Sequence, residues 1–267
     1  MKIKISKISA LHYYKLIGRS LLFLMTAFGY IMFRFKYHLS FWDWLERKPF
    51  ILGFIWIIFV VEMILRFFPS SFESMGCQKV FDRNFKPTTL YTSCASGESG
   101  KEMPKLTTFK GTFISAAAWF ALNGAIGAIY FAGWIDEGIL LLICLAYSIC
   151  DMICILFFCP FQTWFMKNKC CTTCRIYNWD FAMMFTPLVF IPNLYTWTLL
   201  GISLALLIYW EVTVRLHPER FMEKTNASLV CINCEEKLCH HKKQLQSFQK
   251  NSLQASQHRT TRTTINT

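Results

Sequence analysis

Apolar residues in this chain come in long runs, not at the every-third-or-fourth positions of a half-buried helix. Residues 16–33, 50–68, 112–134 and 138–158 each approach the about 20 apolar residues that a membrane-spanning helix needs. The break between the first two reads RFKYHLSFWDWLERKP, aromatic and charged together, which suits the headgroup level. Asp136 and Glu137 make a tight polar turn between the third and fourth runs.

Residues 181–216 are apolar throughout, too long a stretch for one helix crossing a bilayer. Pro187 lies inside it, followed by Pro192–Asn193. Proline lacks the helical N–H donor and restricts the residue before it. The pattern therefore predicts a short or kinked fifth segment, a turn at 192–193, and a sixth segment. The fold class is an all-α polytopic membrane bundle of about six segments over 1–216. A Cys-rich segment follows at 217–243. The tail 244–267 is polar, has little to bury, and is predicted to be disordered.

Composition agrees with this pattern. The chain is 54% hydrophobic and only 16% charged, with 26 Phe and 9 Trp. A soluble domain carries about 25% charge. The net charge of +12 does not indicate nucleic acid, because the basic residues flank apolar runs instead of forming a stripe. They indicate orientation. With six segments, only Arg34, Lys36, Arg47 and Lys48 lie in the outer loops, and the remaining loops and both termini carry the other flanking charges. Lysine and arginine favour the cytoplasmic side, which places both termini there. The N-terminus is basic and precedes an apolar run, but no small-residue cleavage site follows residue 33, so an uncleaved first helix is expected. No internal repeat is visible.

Polar groups inside apolar spans are costly and usually have a partner or a task. Glu62 and Arg66 lie four apart on the second span and are expected to pair, or Arg66 to snorkel to the surface. Asp151 lies on the fourth span with no partner on its own helix, and Asn123 on the third is a candidate by depth. Asp151 is the strongest candidate for a proton or ion role. The third span is rich in small residues, with Ala117, Ala121 and Ala125 spaced by four, as are Gly124, Ala128 and Ala132. Such stripes let another helix approach closely.

The 12 cysteines change the picture most. Cys159, Cys170, Cys171 and Cys174 follow the fourth span, and Cys231, Cys234 and Cys239 follow the last. All fall on the cytoplasmic side of the expected topology, where thiols stay reduced. Cys171–Cys174 and Cys231–Cys234 are C-x-x-C pairs, whose short spacing aims two sulfurs at one centre. His240 and His241 are further ligands. Zinc needs four ligands, and this surplus equally suits an iron–sulfur cluster. Single juxtamembrane cysteines are more often packing residues or palmitoylation sites, and Cys144, Cys150 and Cys154, within the fourth span, are read as packing.

Phosphate-loop, H-E-x-x-H, G-x-G-x-x-G and G-x-S-x-G motifs are absent. All six histidines fall outside the expected spans, which disfavours haem in the bilayer. Three functions remain open: electron transfer through a cytoplasmic-face metal to a membrane redox partner, a zinc-clamped scaffold or homo-oligomer, and a small transporter using Asp151. No catalytic residue is named by spacing.

Overall fold

The computed structural model describes residues 7–38, 40–68, 79–97, 104, 109–166, 178–233, 242, 244 and 247. Its long helices are α1 (Lys7–Ile31), α3 (Pro49–Phe67), α5 (Phe109–Phe131), α6 (Glu137–Leu156) and α8 (Leu194–Leu216). Short ones are α2 (Phe41–Glu46), α4 (Thr89–Ala95) and α7 (Asp180–Phe185). The architecture is all-α among the described residues, with five helices long and apolar enough to cross a membrane. Large apolar side chains such as Phe50, Leu194, Phe131 and Met25 stand exposed on them. On a soluble protein this surface would be an aggregation hazard, whereas facing lipid it costs nothing.

Sequence chemistry sets the helix ends. Pro49 occupies the first turn of α3, where its missing N–H is not needed. Asp136 caps α6 by accepting from the Ile139 N–H at 3.0 Å, and Asn193 caps α8 by accepting from the Tyr195 N–H at 2.9 Å. The turn between α5 and α6 passes through Gly133 at φ +76°, a conformation that side chains with a Cβ disfavour.

Helix α1 lies along α6, α3 lies along α8, and α7 fits between α6 and α8. The segment between α1 and α3 does more than rest at an interface. Phe41, Trp42 and Leu45 of α2 are buried in the core, and Phe41, Phe33 and Trp44 form an aromatic cluster with Tyr30. The Tyr30 hydroxyl donates to Asp136 at 3.0 Å, which fastens α1 to the start of α6.

The fifth apolar stretch resolves into α7 and a 3-10 helix, Thr186–Phe190, followed by the Pro192–Asn193 turn. Pro187 sits in the first turn of that 3-10 helix, so its missing N–H forces a change of helix type and not a break. At one end of the bundle Arg66 meets Asp180 and Trp179 meets Glu211. At the other, Asn193 donates to Glu46 at 2.7 Å, close to where α8 begins. Residues 180–193 therefore run from one end to the other. By standard rises they reach about 29 Å, against about 26 Å along α8 from residue 194 to 211. The starts of α1 and α7 and the ends of α3, α6 and α8 share one end of the bundle.

At that same end two chain-distant segments join. Asn226, fully buried, donates to the Lys79 carbonyl at 3.1 Å and the Arg220 carbonyl at 2.9 Å, and accepts from the Lys86 and Ser228 N–H groups. The Thr88 N–H donates to the Thr225 carbonyl, and the Ser228 hydroxyl donates to the Asn84 carbonyl at 2.6 Å. Phe221 and Phe81 close over Trp210 of α8.

Candidate functional site

The strongest concentration of polar chemistry within the bundle is a charge cluster at this end. Lys15 and Arg19 lie four residues apart on α1, hence on one face. The Arg19 guanidinium donates to Glu62 of α3 at 2.7 Å, to Asp151 of α6 at 3.2 Å and to the Ser148 carbonyl at 3.1 Å. Lys15 approaches Glu62 at 3.5 Å. Arg19 is 8% exposed and also lies 6.0 Å from the Phe59 ring centroid. A second pair sits beside it. Arg66, 2% exposed, meets both oxygens of Asp180, at 3.1 and 2.7 Å, and covers the Phe181 ring at 4.9 Å. Such fork geometry satisfies the carboxylate with two parallel bonds. The three cations and three carboxylates balance, as burial at low dielectric demands.

This arrangement corrects several expectations. Glu62 and Arg66 do not pair with each other. Their helical spacing is right, but each faces a different neighbour, so Glu62 turns to α1 and Arg66 to α7. Nor does Arg66 snorkel, because Asp180 holds it in the core. The partner of Asp151 is Arg19 and not Asn123. The Asn123 amide donates instead to the Trp119 carbonyl on its own helix at 3.0 Å, and its Oδ1 is buried with no hydrogen-bond partner among the described residues. Asp180 sits in the first turn of α7, and its carboxylate holds Arg66.

Helix α1 starts earlier than the apolar run suggested, so His12 lies within it, fully buried. The expectation that every histidine falls outside the spans fails there. Arg19, Lys15 and Asp180 were the members that spacing missed. The available signal was the Lys15–Arg19 pair placed just inside the first apolar run.

Of the seven candidate metal ligands, only Cys159 has a described side chain. Cys170, Cys171, Cys174, Cys234 and Cys239, with His240 and His241, lie outside the described residues, as does the side chain of Cys231. Among the described residues no group of three or more metal-binding side chains comes together. The cysteines of α6 divide three ways. Cys144 is buried and donates to the Met184 carbonyl at 3.1 Å, a packing residue as expected. Cys150 is exposed on the helix surface. Cys154 is half-buried. The Lys242 ammonium donates to the Cys154 carbonyl at 2.7 Å, at the last turns of α6.

A cavity of about 50 Å³ lies elsewhere, between α3, α6, α8 and the 3-10 helix. Trp42, Trp56, Phe59, Cys144 and Leu188 are among its lining residues, and Asp151 is not. The small residues of the third span face outward: Ala117, Ala121, Gly124, Ala125 and Ala128 are exposed, and Gly127 instead takes the close approach, against Phe190.

Comparison with protein-family models, curated proteins and solved structures finds no match.

Proposed function

We propose that the chain is a six-segment membrane protein with both termini cytoplasmic. It holds a metal at its cysteine-rich cytoplasmic face, either as an iron–sulfur cluster or as zinc, and passes electrons through that face to a membrane redox partner. The ligand set is drawn from Cys159, Cys170, Cys171, Cys174, Cys231, Cys234 and Cys239. The observation that carries this reading is the contact of Lys242 with the end of α6. It brings Lys242 to the Cys154 carbonyl, near the end of the helix that precedes Cys159, although 88 residues separate the two. The sixth crossing is supported by the reach of residues 180–193 between the two ends of the bundle. The orientation rests on the distribution of lysine and arginine.

A second reading, a zinc-clamped scaffold, is favoured by the Asn226 junction. It already ties the stretch after α8 to residues 79–88, and a structural metal would extend that fastening. The transporter reading is weaker, because Asp151 is fully engaged by Arg19 and lines no cavity described above.

The experiment is metal and sulfide analysis of the full chain, purified anaerobically in detergent. Iron with sulfide and visible absorption supports electron transfer. Zinc at about one per chain, without colour, supports the scaffold. Absence of both metals overturns the metal reading.

A further inference from the structure

Between α3 and α6 we infer a binding site for one acyl chain of a bilayer lipid, which enters the apolar cavity with its methyl end. The inference rests on the membrane part of the reading above and not on the metal.

Helix α3 lies along α8 and α6 along α1, and two bridges join α3 to α6. At one end α2 packs against both helices, with Trp42 buried. At the other, the Arg19 guanidinium donates to Glu62 of α3 and to Asp151 of α6. The cavity of about 50 Å³ lies between these bridges. Trp42 forms its wall toward α2. Phe59, whose ring centroid is 6.0 Å from the Arg19 guanidinium and which meets Phe185 edge-on at 5.3 Å, forms its wall toward the charges.

The chemistry of the wall selects the ligand. The Cys144 thiol donates to the Met184 carbonyl at 3.1 Å, the Thr196 hydroxyl to the Ile191 carbonyl at 2.6 Å, and the Trp56 indole N–H to the Thr198 hydroxyl at 2.8 Å. These groups are satisfied within the bundle and ask nothing of an occupant. The rest of the lining is aliphatic and aromatic. Such a cavity excludes water and takes apolar molecules, and one of about 150 Å³ holds benzene, so a third of that volume holds about two carbons. Those carbons give the lining atoms the dispersion partners that a void denies them. Ile55, Trp56, Leu141 and Tyr195 are half-buried, so the lining reaches the bundle surface at these side chains. Phe59 lies ten residues into α3, or about 15 Å at 1.5 Å per residue. That is half the depth of an about 30 Å hydrocarbon core, the level at which lipid chains end.

The test is photo-crosslinking of the unaltered chain in vesicles of a phosphatidylcholine that carries a diazirine near the methyl end of one acyl chain. Labelled residues are mapped by mass spectrometry. Phe54 and Trp197, exposed on α3 and α8, report the surrounding lipid. Entry predicts further adducts on Cys144 and Trp42, which are buried, and none on Trp210, which is as deeply buried but lines no part of the cavity. Leu188→Phe fills the cavity from the 3-10 helix and is expected to remove the adducts on Cys144 and Trp42 while leaving those on Phe54 and Trp197. Leu145→Phe fills it from α6 and carries the test where Leu188→Phe does not fold.

If Phe54 and Trp197 are labelled and Cys144 and Trp42 are not, the chain end stays outside and only the inference fails. It fails equally if the buried adducts persist in both filled variants. If no residue of the long helices is labelled, the chain is not in the bilayer, and the membrane reading falls with the inference.

Discussion

Replacing Arg19 with methionine removes the guanidinium shared by Glu62 and Asp151 while keeping most of the side chain's bulk. Glu62 retains Lys15 at 3.5 Å, but Asp151, 16% exposed, loses the cation that contacts it at 3.2 Å. Breaking a buried pair from one side costs about 3–5 kcal/mol, because the remaining charge is left uncompensated. The orphaned carboxylate can escape by taking up a proton. At pH 7 that costs an ordinary aspartate about 4 kcal/mol, which sets a ceiling. We expect a loss of about 3–4 kcal/mol at pH 7. The loss should shrink by about 1.4 kcal/mol for each unit of acidification, since acid supplies the proton, and should grow as pH rises. Unfolding in detergent can be followed by alkylation of Cys144, which is buried in the native bundle. The variant Arg19→Met with Glu62→Gln and Asp151→Asn leaves no charge stranded and should recover more than half of the loss. A loss below about 1 kcal/mol, the scale of an ordinary contact between membrane helices, and flat with pH, would refute the view of Arg19 as the hub.

Other positions separate as clearly. Gly127→Ala would drive a Cβ into the Phe190 ring and should cost about 1–3 kcal/mol, whereas Gly124→Ala meets nothing within 4 Å and should be neutral or slightly stabilising; equal thermal shifts would show that the packing face of α5 is misassigned. Arg66→Lys keeps the charge but loses the fork onto Asp180, and should still lower detergent stability, by about 1–2 kcal/mol. Asn226→Leu strands the donors and acceptors it now joins, so limited proteolysis should cut within 79–88 or 218–233 much faster, with the long helices still protected; unchanged cleavage would mean that the junction holds without it.

The spans were legible because they follow from a single scale. Apolar length, the Asp136–Glu137 turn and the Pro192–Asn193 turn give α3, α5, α6 and α8 to within three residues at each end. Pairings were not legible, because helical spacing says which residues share a face and not which helix that face meets. Glu62 and Arg66 show this best: correct spacing, wrong partners. The small-residue stripe errs in the same way, since Gly127, outside the four-residue repeat, makes the close contact. The role of Asn226 was not legible, since its hydrogen-bond partners in residues 79–88 meet it only in the fold.

The Arg19 cluster also sets an order of events during synthesis. If the chain is the membrane protein proposed above, Arg19 enters the bilayer with the first helix, Glu62 follows 43 residues later, and Asp151 is 132 residues behind Arg19. At translation rates of about 5–20 residues per second, the guanidinium waits roughly 7–26 s for its last acidic partner. A positive charge held in lipid without a partner is unfavourable by about 2.5–3.5 kcal/mol at the centre of a span. On that reading helix α1 enters the bilayer as an incomplete element, and its polar face is completed only when α6, about half of the chain later, arrives beside it.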